Sequence, residues 1–223
     1  MMLSIESTDS HRLLNVSLAD RECVRHLGAR LNETGDWIVP QGLPLDPFAA
    51  WLSHQRASSF GVLVAKLWCV HCANLTRVVG LMLPPGHERL LFRGDGTQRW
   101  VRHDQSFFVP RFLQYLPNDV IGHLQEFNPN FKRGTQENWG ELHQNHCEHC
   151  GALHHDRELH RDVEGTFDPS LIATTAIALH VVAQPFYGRS GDGIESDHLA
   201  KSRSSLSPLR RRAHETQLQR SAA

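Results

Sequence analysis

The chain reads as an α+β protein: a small strand–helix module, then a β-rich region closed by a metal, then a disordered tail. Three observations carry this expectation. Cys69-Val-His-Cys72 and Cys147-Glu-His-Cys150 are two C-x-x-C pairs with strand-like flanks. The first stretch alternates short apolar runs with helix-start signals. After Phe186, Gly, Ser, Asp and Arg replace apolar residues. The expected division is 1–56, 57–187 and 188–223.

Composition permits a packed core and narrows the partners. Of 223 residues, 40% are hydrophobic, and the formal net charge is -1. That balance argues against strong nonspecific attraction to nucleic acid or anionic lipid at neutral pH. Sixteen histidines would make the chain cationic on mild acidification. No basic start followed by an apolar stretch marks a secretory signal, and no apolar run approaches a membrane span. The expected setting is the cytoplasm without a membrane, where paired cysteines are metal ligands more often than disulfides.

In the N-terminal module, Arg12 to Val16 reads as a short strand. Ser17-Leu18-Ala19-Asp20 fits a capping box. The helix after it places Cys23, Val24, Leu27 and Leu31 at helical spacing, so Cys23 is expected to be a small core residue. Gly28 is placed to stop that helix. Trp37-Ile38-Val39-Pro40 is a second strand. Asp46-Pro47 starts a helix with the apolar stripe Phe48, Trp51 and Leu52.

This order of residues is familiar. Leu14-Asn15-Val16, the acidic helix start, Leu27-Gly28-Ala29-Arg30, Trp37 before Val39-Pro40, Leu45-Asp46-Pro47-Phe48 and Trp51-Leu52 follow one another. The run resembles the bacterial domain-of-unknown-function 5710 family, over about a fifth of the chain. The resemblance implies an accessory module beside conjugative primase-like and other plasmid or DNA-metabolism proteins. The chain departs from that pattern at Leu31, where an aromatic residue is common, and has few lysines around Arg21 and Arg25.

In the second region, Gly61 to Trp68 enters the first knuckle as a strand and Thr76 to Leu83 leaves it. A second hairpin pairs Arg89 to Phe92 with Arg99 to Val101 across Gly94-Asp95-Gly96. Asn118 to Phe127 reads as a helix with Val120, Ile121, Leu124 and Phe127 on one face. Residues 129–139 are polar and read as loop. Trp139 to His146 leads into the second knuckle. Gly151 suits its tight turn, and Ala152-Leu153-His154 leaves it. Ile177 to Val182 reads as a closing strand of the same sheet.

Four thiolates on two tight turns suit a tetrahedral structural Zn2+ site at Cys69, Cys72, Cys147 and Cys150. More than seventy residues separate Cys72 from Cys147, so the ribbon would be split by an insertion. Loop closure grows only by about 0.6 kcal/mol per doubling of length, against on the order of 10 kcal/mol from a structural zinc. Two rivals stay open: a redox-active pair, and two mixed sites using His71, His143, His146, His149, His154 or His155. Asn145 to Ala152 also resembles the second knuckle of uncharacterised bacterial proteins that carry the same N-terminal module. That resemblance extends through Leu159-His160 to Gln184-Pro185-Phe186 and implies one ribbon built from both knuckles.

The tail shifts basic, with seven Lys or Arg against four acids, and contains Arg210-Arg211-Arg212. Such a cluster can neutralise phosphates. No phosphate loop, H-E-x-x-H helix or G-x-S-x-G elbow is present. The leading expectation is a non-enzymatic, zinc-stabilised binding or adaptor protein, with nucleic acid or a DNA-metabolism protein as partner. A protein–protein scaffold with purely structural zinc and a metal-dependent enzyme using the histidine-rich surface stay open beside it.

Overall fold

The computed structural model describes residues 12–92, 98–136, 140–160, 165–167 and 177–196. Strand dominates and the helices are short, which is an α+β arrangement.

The N-terminal module folds around its own small core. Ser17 does not cap a helix: its hydroxyl donates to Asp20 Oδ2 at 2.7 Å. Helix α1 (Arg21–His26) is short, and Gly28 ends it at φ +100°. The expected stripe therefore holds only at Val24. Val24 is the residue that α1 buries, whereas Cys23 is exposed and Leu31 lies in strand β1 (Arg30–Leu31). Strand β2 (Trp37–Ile38) pairs with β1, and Leu13 bridges to Ile38. A 3-10 turn over Asp46–Phe48 with Pro47 in its first turn leads into α2 (Ala49–Leu52). Leu14, Val24, Trp37, Val39, Phe48 and Leu52 pack together with Tyr115 from the following region.

Strand β3 (Gln55–Ala57) leaves this module and enters the larger sheet. Strands β4 (Phe60–Trp68) and β5 (Leu75–Met82) form the expected hairpin, with Trp68 opposite Leu75 and Gly61 opposite Met82. Both faces of this hairpin are buried at its base. Phe60, Val62, Val79 and Leu81 share one core with the helix described below. Leu63, Ala65, Val78 and Met82 share another. That double burial explains an unbroken apolar run where a half-exposed strand would alternate. Gly80 has an ordinary φ; its lack of a side chain admits the Phe167 ring, which would lie 3.2 Å from an added Cβ.

Strands β6 (His87–Phe92) and β7 (Gln98–His103) pair as expected. The intervening turn at Gly94 to Gly96 lies outside the described residues. Strand β8 (Phe107–Tyr115) was not anticipated, although it is central. Helix α3 (Asn118–Gln125) buries Val120 and Leu124, with Ile121 and Phe127 packed alongside.

The expected loop over 129–139 is corrected in its middle. Lys132–Gln136 forms β9, pairing with β10 (Gly140–His146). An exposed edge strand needs no apolar face, so its polarity misleads. Strand β11 (Leu153–His154) and helix α4 (Asp156–Leu159) follow. Strand β12 (Ile177–Val182) closes the small sheet, in the order β12-β4-β5. Strand β13 (Phe186–Ser196) corrects the start of the disordered tail. Residues 189–196 pair with β8 on one side, and 186–188 pair with β3 on the other. The tail from 197 onward, with Arg210, Arg211 and Arg212, lies outside the described residues.

The larger sheet runs β11-β10-β8-β13-β3-β6-β7, with β9 also on β10. The two sheets meet where Leu83, just past β5, bridges Phe108 in β8. This junction brings the second knuckle, between β10 and β11, onto the β4–β5 hairpin that carries the first.

Candidate metal centre

Both knuckles use the same backbone device. The Cys69 N–H donates to Asn74 O at 2.9 Å, and Ala73 N–H donates back to Cys69 O at 2.8 Å. At the second knuckle, Cys147 N–H donates to Ala152 O at 2.8 Å, and Gly151 N–H to Cys147 O at 3.0 Å. The residue after the second cysteine is left-handed in both turns: Ala73 at φ +54° and Gly151 at φ +73°. Two turns of the same shape thus point two sulfurs each into one space.

The four sulfurs lie within 4.8 Å of one another. Cys69 Sγ is 3.7 Å from Cys150 Sγ, and Cys72 Sγ is 3.7 Å from Cys147 Sγ. A disulfide needs about 2.05 Å. A tetrahedron with metal–sulfur bonds of about 2.3 Å has edges of about 3.8 Å. The spacing therefore fits a tetrahedral metal and not a bond. Among the described residues, no histidine joins this group. His149 Nε2 instead lies 3.0 Å from Leu75 O.

The sulfurs differ in environment. Desolvation works against the Cys147 thiolate, yet the N–H groups of Cys150 and His149 and the nearby thiols outweigh it, holding its pKa down to about 5. The His149 N–H reaches Cys147 Sγ at 3.4 Å. The Ala152 N–H favours the Cys150 thiolate, but desolvation and the other three sulfurs push it up to about 12. A divalent cation would let all four carry negative charge together. Four cysteines also complete a tetrahedron, so no position is left for an activated water.

Polar side chains that the sequence did not single out dock the second knuckle on β5. Glu148 accepts from the Arg77 N–H at 2.8 Å and from Arg77 Nε at 3.0 Å. The Glu148 N–H donates to Thr76 Oγ1 at 3.0 Å. Asn145 pairs with the backbone of Val79. Asn128 Nδ2 donates to Arg77 O at 3.1 Å, and Asn130 Nδ2 to Cys147 O at 2.9 Å. The signal available in sequence was a cluster of asparagines before the knuckle, a residue type suited to satisfying backbone groups with its side-chain amide.

A second buried cluster was also missed. Asp156 and His160 sit one helical turn apart, with Oδ1 and Nδ1 separated by 3.1 Å. The Asp156 Oδ2 accepts from the Phe112 N–H. No family model, curated protein or solved structure matches the chain. No helix among the described residues is long and apolar enough to cross a membrane.

Proposed function

We propose that the chain is a non-enzymatic binding or adaptor protein of the cytoplasm, held by one structural zinc in a split ribbon, with nucleic acid as its partner class. The observation that carries the structural-zinc role is the closed set of four sulfurs on two matching turns. Such a site fixes the β4–β5 hairpin against β10 and β11 and leaves no open coordination position for chemistry. The nucleic-acid reading draws on the resemblance of the N-terminal module to DNA-metabolism accessories and on the run Arg210 to Arg212.

Two measurements test it. Metal analysis of the purified protein should find one zinc per chain, and Cys150→Ser should lower that content sharply. More than one zinc per chain would favour an enzyme. Binding to nucleic acid should weaken steeply with salt, and Arg210 to Arg212 changed to alanine should flatten the slope by about one unit per lost phosphate contact. Salt-insensitive or absent binding would remove the partner assignment.

A protein–protein scaffold is the second reading. It is favoured by three exposed apolar side chains at the first knuckle: Trp68, Val70 and Leu75.

A further inference from the structure

The arm that carries the first knuckle offers one face whose chemistry the metal does not use. Residues 61–83 contain Lys66 and Arg77 and no acid. Lys66 stands opposite Arg77 across the hairpin, and Trp68 stands opposite Leu75. Strand alternation places these four on one side, with Lys66 and Trp68 about 7 Å apart along β4. Near the base this side is core; at the tip it is open to solvent. Trp68 is 68% exposed and Leu75 43%.

Trp68 differs from the other described tryptophans with aromatic contacts. Arg56 lies 4.3 Å over the Trp100 ring, and Arg25 lies 5.6 Å over Trp37. Among the described residues, nothing stacks on Trp68 and no acid pairs with Lys66. Arg77 is held by Glu148 at 2.5 Å and so is both neutralised and fixed. A shallow depression of about 380 Å³ opens beside the pair, lined by Lys66, Leu75, Thr76, Arg77, Glu148 and His149.

We propose that this face binds single-stranded nucleic acid, with a base stacked on Trp68 and the neighbouring phosphate on Lys66. The proposal rests on the nucleic-acid reading above and gives it a site. A free aromatic face beside an unpaired cation is the combination that stacks a base and neutralises its phosphate without reading sequence. A duplex keeps its bases stacked internally and offers no free base to a single ring. The knuckle makes the arm rigid, so little ordering is needed on binding. The arm itself carries no acid, and Glu148, which lines the depression beside it, is neutralised by Arg77. Burial of Trp68 in a partner protein's apolar pocket would need no charge at Lys66, and that difference makes the two occupants separable.

The test uses the zinc-loaded full chain and fluorescence anisotropy with a labelled oligothymidine and a duplex of equal length. The single strand should bind more tightly than the duplex. Trp68→Ala should weaken single-strand binding roughly 5- to 150-fold, the range for loss of one stacked base. Trp68→Phe should retain most of it. Lys66→Gln should reduce the salt slope by about 0.7. Zinc content should be unchanged in all three. If the wild-type chain binds but Trp68→Ala and Lys66→Gln bind equally well, this site is wrong while the nucleic-acid reading stands. Equal affinity for duplex and single strand overturns the stacking. If the wild-type chain binds neither probe, both fall.

Discussion

Asn145 and Val79 exchange two hydrogen bonds of 2.8 Å, with the side-chain amide of one standing in for a neighbouring strand to the other. Strand β5 is the edge of the small sheet, and its outward amides need partners. Glu148 and Asn128 serve Arg77, Asn145 serves Val79, and Phe108 serves Leu83. The edge is thus closed by the backbone of Phe108 just past its end and, along β5, by side chains that also hold the second knuckle in place. Asn145→Ala leaves the Val79 N–H and C=O buried without partners. The expected loss is about 2–6 kcal/mol, from a penalty of about 1–3 kcal/mol for each of the two groups. Urea denaturation of the zinc-loaded protein measures it. A change below about 0.5 kcal/mol would show that water or backbone movement replaces the pair.

The two knuckles differ at one matched position. Ala73 and Gly151 both sit in the left-handed region, which costs an L-residue about 1–2 kcal/mol and glycine almost nothing. An added Cβ at Gly151 meets no atom within 4 Å, so backbone strain alone decides the outcome there. Gly151→Ala should lower stability by about 1 kcal/mol. Ala73→Gly should raise it, by less, since glycine also loosens the unfolded chain. Thermal melts of the two variants at equal zinc loading should move in opposite directions.

The legible part of the fold was local. Cys69 to Cys72, the β4–β5 hairpin and the stripe Val120, Leu124 and Phe127 all announce themselves within a few residues. The convergence of the two knuckles was legible too, because four thiolates demand it chemically. Strands β8 and β13 were hidden for a different reason. Pro110 in β8 argues against a central strand, since proline cannot donate to a ladder. Gly188 and Gly193 in β13 read as disorder. In the structure they are packing positions, because the Phe186 ring occupies the Cβ space of Gly188 and the Phe108 ring that of Gly193. Composition cannot distinguish a glycine that loosens a chain from one that admits a ring. The supporting asparagines escaped notice because their partners, on β5 and at Cys147, are remote in sequence.

His54 links stability to pH. Burial, and then the positive charge of Arg189, pull its pKa down to about 3, and its ring lies edge-on to Phe92 at 5.0 Å. Below about pH 6.5 the unfolded chain takes up a proton that folded His54 refuses. Folding is therefore penalised increasingly as pH falls toward 3, with a slope of at most about 1.4 kcal/mol per unit. His87 is depressed too, chiefly by burial, so acid sensitivity alone does not isolate His54. The comparison with His54→Gln does. Between pH 7 and 5 the wild-type chain should lose up to about 2 kcal/mol more than the variant in denaturant titrations. Parallel losses would assign the sensitivity to other groups.

Asp156 holds a strained turn of β8 in place. Phe112 has φ +56°, which is costly for a bulky residue, and its N–H donates to the buried Asp156 carboxylate. His160 Nδ1 lies 3.1 Å from Asp156 Oδ1, and Arg111 NH1 donates to His160 O at 3.2 Å. Burial by itself would raise the Asp156 pKa. His160, the Phe112 N–H and Arg111 outweigh that and hold it below the ordinary range. A depressed carboxylate contributes stability above its unfolded pKa of about 3.9 and loses it as pH falls through the folded value. Asp156→Asn removes the charge while keeping the shape, and should cost about 2–3 kcal/mol at pH 7. The difference from wild type should shrink below about pH 4, where the unfolded carboxylate is protonated. A penalty that stays constant from pH 7 to 3 would locate Asp156's contribution in packing and not in its charge.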